Sequence, residues 1–288
     1  MEELFTPEFW DRKWIEFKVK NATYRGQKKD AEEYWNQRAE GFANSTIKSD
    51  SRQERTREVF SFLEYFGIIQ PGMTVLDIGS GPGSFAIPLA EQGARVVALD
   101  PASRMLEILQ ENLPPSTPGS VDCVQALWED YDVEKQGWEN KFDLVFASMS
   151  PGVNNLETLQ KMMFCSRRWC YLSGFSGSRN YSLYNEVFKQ ITGEPYINHF
   201  NDIIFPFNLL YTLGCEPGIK LSSSSNQLNQ KVTDFRKEIY EILENRELLN
   251  TEAESVVEQL INRHASQGSI RQEVSSRVGM IIWQVVKD

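Results

Sequence analysis

Positive charge is in short supply in this chain. Lys and Arg total 30 against 40 Asp and Glu, a formal net charge of −10. Unspecific contact with nucleic acid or an anionic membrane needs a basic surface. No dense Lys/Arg stripe is present, so the sequence argues against both partners. Nor does any run approach the roughly 18 apolar residues of a membrane span. Histidine is scarcer still, with only His199 and His264. The four cysteines, Cys123, Cys165, Cys170 and Cys215, show no C-x-x-C spacing. Two distant histidines and scattered cysteines make no metal-ligand cluster, and this cysteine usage fits a reducing, cytoplasmic setting. Met1-Glu2-Glu3-Leu4 is acidic and lacks the apolar core of a secretory signal. A G-x-S-x-G elbow, which would suggest a hydrolase, is missing.

The informative stretch is Val75-Leu76-Asp77-Ile78-Gly79-Ser80-Gly81-Pro82-Gly83, followed 23 residues after Asp77 by Val96-Val97-Ala98-Leu99-Asp100. An apolar strand ends on an acid, a glycine-rich turn and a helix opening at Ser84 follow, and a second apolar strand ends on another acid. Glycines let the backbone pass close to a ligand, and a helix start offers free N–H groups. Asp100 is placed to accept from a ribose diol. The dinucleotide fingerprint needs a third glycine where Ser84 stands, and no Lys-Ser/Thr pair marks a phosphate loop. Asp77 would repel a pyrophosphate and suit a cationic amine. A ligand with an amino acid ammonium and a ribose but no phosphate meets these conditions, and S-adenosylmethionine is such a ligand.

Asp77-Ile78-Gly79-Ser80-Gly81-Pro82-Gly83 with Asp100 resembles the class I S-adenosylmethionine-dependent methyltransferases, the group that includes ubiquinone/menaquinone-type enzymes. The resemblance covers about residues 70–176. It implies a Rossmann-like, doubly wound α/β sheet of seven strands, mostly parallel with the last antiparallel. A helical lid would precede the sheet, and helical insertions would sit beside the substrate pocket near the C-terminus. Residues 1–70 would be the lid, 71–176 the cofactor core, and 177–288 the insertion and terminal strands of the same domain.

The pattern along the chain agrees with an α/β fold. Strands are predicted over Thr74–Ile78, Arg95–Asp100, Val121–Ala126, Phe142–Ser148 and Cys170–Phe175. Helices are predicted over Ser84–Gln92, Arg104–Asn112 and about Asn155–Arg168. Continuously apolar strands separated by helices imply a parallel sheet covered on both faces, where Cys123 and Cys170 would act as small apolar residues. Upstream, Thr6-Pro7-Glu8 reads as a helix start, with Trp10, Trp14 and Phe17 on one face. A second helix begins near Asp30 and carries Tyr34, Trp35, Arg38 and Phe42. A polar loop is expected at Asn44–Ser51, then a helix over about Arg52–Phe66 with Val59, Phe62, Leu63 and Phe66 inward. Downstream, Asn180–Leu213 is rich in aromatics, which read as core more readily than as a cage for a cation. A strand at Gly218–Ser223, helices at about Thr233–Leu248 and from a Thr251-x-x-Glu254 capping box to about Arg263, and a final strand at Arg277–Val286 complete the chain.

The resemblance implies the site residues. Gly79, Ser80, Gly81 and Gly83 would lie against the methionine part of the cofactor, Asp77 would hold its ammonium, and Asp100, followed by Pro101, would take the ribose. Met105 would lie over the adenine, with Leu127 and the backbone N–H near Trp128 holding its edge. Relatives often place an acid where Leu127 stands. Ser148 and Met149 border the methyl group. Tyr34 and Arg38 resemble lid-helix contacts. Tyr34 and His199 are the candidates for a catalytic role, while His264 reads as solvated. Methyl transfer needs a base only if the nucleophile must lose a proton. The acceptor is expected to be a small molecule, and the aromatic helix Phe9–Phe17 leaves a homodimer open. Two other readings stand beside this one: an NAD-linked oxidoreductase with a variant glycine turn, and a non-catalytic S-adenosylmethionine-binding protein.

Overall fold

The computed structural model describes residues 2–21, 31–47, 50–199 and 202–285. In chain order, the N-terminal helices are α1 (Pro7–Asn21), α2 (Ala31–Ile47) and α3 (Asp50–Tyr65). The alternating section holds β1 (Thr74–Ile78), α4 (Ala86–Glu91), β2 (Arg95–Asp100), α5 (Ser103–Asn112), β3 (Ser120–Gln125), β4 (Phe142–Ser148), α6 (Leu156–Cys165) and β5 (Ser166–Phe175). After it come β6 (Ser178–Tyr181), α7 (Ser182–Thr192), β7 (Asn198–His199), α8 (Ile204–Thr212) and β8 (Gly218–Lys231). The chain ends with α9 (Val232–Glu244), α10 (Thr251–His264), β9 (Ala265–Ser266) and β10 (Ser269–Gln284).

Two compact units result. The first gathers Met1–Gly174, Ile203–Lys220 and Gly279–Asp288, and the second gathers Phe175–Asp202 and Leu221–Val278. In the first, the strand order is β3-β2-β1-β4-β5-β10, with β8 joining β10. β1 runs parallel to β2 and β4, β2 to β3, and β4 to β5. The order reverses between β1 and β4, so both strand ends face an open crevice, the usual ligand position in such sheets. Ten strands are hydrogen-bonded among the described residues, rather than seven. The extra ones, β6, β7 and β9, are short and belong to the second unit.

Successive residues of a strand point to opposite faces, and here both faces are apolar. Val75, Val96, Ala98, Leu144 and Phe146 pack with α3 residues Val59, Phe62 and Leu63 and with α4 residues Ala86, Leu89 and Ala90. Leu76, Ile78, Leu99, Val145 and Ala147 pack on the other side with Trp14, Leu159, Met162, Leu209 and Leu210. The central strands β1, β2 and β4 thus lie under helices on both faces, as their apolar runs required. β3 is an edge strand, which leaves Cys123 only half-buried while Cys170 is fully buried. The α2 helix rests on α5 through Ala39 and Ala43 against Ala102, Met105 and Ile108. Its Asn36 Oδ1 accepts from the Arg104 N–H at 3.0 Å, and Arg104 reaches Glu40 at 2.6 Å.

Several expectations shift. The polar stretch expected as a loop at 44–51 carries α2 to Ile47 and α3 from Asp50, because helices tolerate a polar surface when the opposite face is buried. Asp30 lies outside the described residues. Ser84 does not open a helix: Phe85 is the N-cap of α4, since Gly83 at φ +90° still belongs to the turn. Asn250, not Thr251, caps α10 by accepting from the Ala253 N–H. β8 and β10 extend well past the predicted strands because they pair with each other, and much of β8 is polar and exposed.

The second unit has its own core. Tyr184, Val187 and Phe188 of α7 pack with Phe235, Ile239 and Leu243 of α9 and with Val257 and Leu260 of α10. Tyr196 joins them, and the Arg246 guanidinium lies 5.2 Å from the Phe188 ring centre and 4.9 Å from that of Tyr196. These aromatics are core, and the cation they meet is the chain's own. Phe205 and Phe207 of α8 pack in the first unit instead, Tyr211 is exposed, and Phe200 lies outside the described residues.

Gly83 shows how tightly the turn is built. A methyl group there would lie 2.7 Å from Leu109 Cγ, in a backbone conformation L side chains rarely adopt. Gly137, at φ +63°, has open space instead. Gly137→Ala should cost about 1 kcal/mol for the backbone alone, and Gly83→Ala should cost about 1–3 kcal/mol more for the clash. Urea denaturation of both variants checks the difference.

Candidate active site

The crevice is organised by the turn after β1. The Gly79 and Ser80 N–H groups both donate to Leu99 O, at 2.7 and 3.1 Å, stitching the turn to the end of β2. Asp100 continues the stitch: Oδ2 accepts from the Gly81 N–H and Oδ1 from the Ala102 N–H, both at 2.9 Å. Gly79 sits at φ +71° and Gly81 at φ +53°. A methyl group on Gly79 would come within 2.5 Å of Ser150 Oγ. Only glycine passes there without moving its neighbour.

The other walls come from the ends of β3 and β4 and from the N-terminal helices. The segment after β3 is pinned to α6: Trp128 Nε1 donates to Thr158 O at 3.2 Å, and Lys161 Nζ donates to the carbonyls of Trp128, Glu129 and Tyr131. After β4, Met149 adopts φ +55° while its N–H donates to Ser173 O at 3.1 Å. Such strain in a non-glycine residue gathers at functional sites. Asn155 caps α6 through a reciprocal pair with Thr158. Lys18 of α1 reaches Asn154 O and Oδ1 at 2.9 and 2.7 Å. Tyr34, Trp35 and Phe42 of α2 form an edge-to-face aromatic run. Together these elements enclose a cavity of about 690 Å³, within the roughly 300–1,000 Å³ of small-molecule sites.

Its electrostatics are set by burial. Desolvation, with a smaller push from Asp100, raises Asp77 to about 8. Desolvation raises Asp100 to about 6, against the pull of the Ala102 and Gly81 N–H groups. Among the described residues, Asp77 Oδ2 is buried and accepts no hydrogen bond, and the buried hydroxyls of Ser80 and Ser84 have no partner. A carboxylate of this kind is costly unless it is protonated or meets a cation.

Of the residues singled out from sequence, Tyr34, Gly79, Ser80, Gly81, Asp100, Pro101, Met105, Leu127, Trp128, Ser148 and Met149 line the cavity. Asp77 is buried behind that wall. Gly83 faces Leu109 and Ile87. Arg38 is exposed, its guanidinium 3.7 Å from the Tyr34 ring centre. His199 is on β7 of the second unit, and its side chain lies outside the described residues. The lining also includes Lys18, Arg55, Ser84, Glu129 and Asn154, which the sequence reading did not select. Two had a signal: Lys18 follows Trp14 by four residues, and Arg55 precedes Val59 by four, so each cation falls on an otherwise inward helix face.

Residues 75–170 match the sequence model of a methyltransferase domain. An uncharacterised protein of Haemophilus influenzae is 30% identical over 178 residues, 61% of this chain and 60% of its own length. The chain therefore spans less than two thirds of that relative. Ribosomal RNA large subunit methyltransferase E of a Wolbachia endosymbiont of Brugia malayi is 22% identical over 161 residues, 49% of this chain and 69% of that one. Magnesium protoporphyrin IX methyltransferase of Synechocystis, solved with bound SAH, superposes with a TM-score of 0.50 at 14% identity, covering 86% of this chain and 98% of that one. That likeness is one of fold. Residues 75–170 thus carry a methyltransferase domain, in agreement with the resemblance to S-adenosylmethionine-dependent methyltransferases.

The raised carboxyls make stability depend on pH in a definite direction. Unfolded aspartate titrates near about 4. Between there and about 8 the folded, ligand-free chain holds more protons than the unfolded one, so it loses stability as pH rises. Asp77→Asn removes the buried charge. Its urea midpoint should exceed that of wild type at pH 8, with the gap narrowing at pH 6 and closing only toward pH 4. Parallel pH dependences would contradict the assignment.

Proposed function

We propose that the protein transfers a methyl group from S-adenosylmethionine to a small-molecule acceptor. The observation that carries this is the pair of buried acids at the ends of β1 and β2, joined by a glycine turn that opens into the cavity. S-adenosylmethionine, when bound, supplies a methyl carbon activated by its sulfonium.

The chain's residues fit that cofactor. Asp100 has lone pairs beyond the two used by Gly81 and Ala102, available to ribose hydroxyls. Asp77 offers a negative charge matched to an ammonium, and the unpartnered Ser80 and Ser84 hydroxyls offer further polar contacts. Met105, Leu127 and Trp128 supply an apolar slot for a flat base, while Ser148 and Met149 border the opposite end. The protein's task is alignment and exclusion of water, which accounts for much of the rate in such displacements.

The size of the cavity, its aromatic wall and the net charge of −10 support a small acceptor. A relative named as a ribosomal RNA methyltransferase makes RNA the second reading. An NAD-linked reaction is disfavoured by Ser84 at the position of the third glycine. The test is transfer from methyl-tritiated S-adenosylmethionine into cell extract, separated into small-molecule and RNA fractions. Label should enter the small-molecule fraction, and Asp100→Ala should cut it at least ten-fold. Label confined to RNA would overturn the acceptor class.

A further inference from the structure

Arg55 brings a positive charge to the end of the cavity bounded by Ser148. It projects from α3 at an inward position and lines the cavity. Burial weakens its hold on its proton. It makes no ion pair with a carboxylate among the described residues. Glu58, one turn further along α3, and Tyr171 act on it only through space. Its Nη2 donates to Ser148 Oγ at 2.9 Å and, more weakly, to Ser173 Oγ at 3.4 Å. Its Nε is buried and has no acceptor among the described residues.

The direction of these hydrogen bonds limits what can bind. A guanidinium only donates, so both serine oxygens accept from Arg55. The two hydroxyls lie 3.1 Å apart, and one must donate to the other. The remaining hydroxyl proton faces either the buried Tyr171 hydroxyl, which both serines approach, or the cavity. The donors the cluster presents are therefore the guanidinium N–H groups the serines do not use, and what satisfies them is an acceptor of negative charge. A planar carboxylate matches the guanidinium fork.

We propose that the methyl acceptor carries a carboxylate, received by Arg55 together with the Ser148 hydroxyl. This rests on the methyl-transfer reading of the cavity. The carboxylate of the cofactor's own methionine part is the rival source of the same chemistry, and the test separates the two.

Calorimetry first compares S-adenosylhomocysteine binding to wild type, Arg55→Gln and Arg55→Lys. Benzoate and benzamide, equal in shape and different in charge, are then titrated into each protein, with and without S-adenosylhomocysteine. We expect S-adenosylhomocysteine affinity to change less than three-fold in Arg55→Gln. Benzoate should bind wild type at least ten-fold more tightly than benzamide. Arg55→Gln should erase that preference and Arg55→Lys should retain part of it. The wild-type comparison stands even if the variants fail to fold. A ten-fold loss of S-adenosylhomocysteine affinity in Arg55→Gln would assign the arginine to the cofactor and overturn the proposal. Absence of any benzoate preference would overturn it too, leaving Arg55 a structural strut. If S-adenosylhomocysteine failed to bind wild type, the cofactor reading would fall, while a benzoate preference in the ligand-free protein would still support the carboxylate site.

Discussion

Asp77 and Asp100 lie on neighbouring parallel strands, with Asp77 opposite Ala98, and both are buried. A buried carboxylate must find donors, a counter-charge or a proton. Asp100 finds its donors in the backbone, and this dictates the path of the chain: the turn after β1 has to curl back far enough for the Gly81 N–H to reach it. Positive φ at Gly79 and Gly81 follows from that curl. Asp77 finds no donor for Oδ2 and keeps its proton to about pH 8. The free protein thus holds an acid that a cationic ligand would ionise. The curl of the turn and the glycines it requires descend from the pairing of Asp100.

The central section was legible because its signals are local. β1, β2 and β4 coincide with their predicted bounds, since apolar runs ending on an acid or a serine leave little choice of register. Elsewhere the deciding contacts are distant. Nothing within Ser224–Lys231 marks a strand; those residues are held by pairing between β8 and β10. The start of α4 was misplaced by two residues because a serine looks like a cap until the preceding glycine is seen to be part of the turn. The aromatics of residues 180–213 could be read as core, but not divided between two units, because the division depends on which helices they meet.

The two halves of the cavity were unequally visible. The half proposed for the cofactor follows one contiguous motif and its acid partner. The half proposed for the acceptor is assembled from α1, α2 and α3 and the ends of β4 and β5, more than a hundred residues apart in some pairs. Lys18 meets Asn154, and Arg55 meets Ser148 and Ser173. A cation at an inward helical position is the only trace such a contact leaves in sequence. The helical periodicity that identified Trp14 and Val59 as core therefore also carried the information about Lys18 and Arg55.

The most direct test of the acid pair is calorimetric titration of the ligand-free protein with S-adenosylhomocysteine, using NADH as the control. Saturable one-to-one binding of S-adenosylhomocysteine that tightens from pH 6 to pH 8, with no heat from NADH, is the predicted result. Binding of NADH with none of S-adenosylhomocysteine would contradict the account, because it would place a pyrophosphate against the same buried carboxylates.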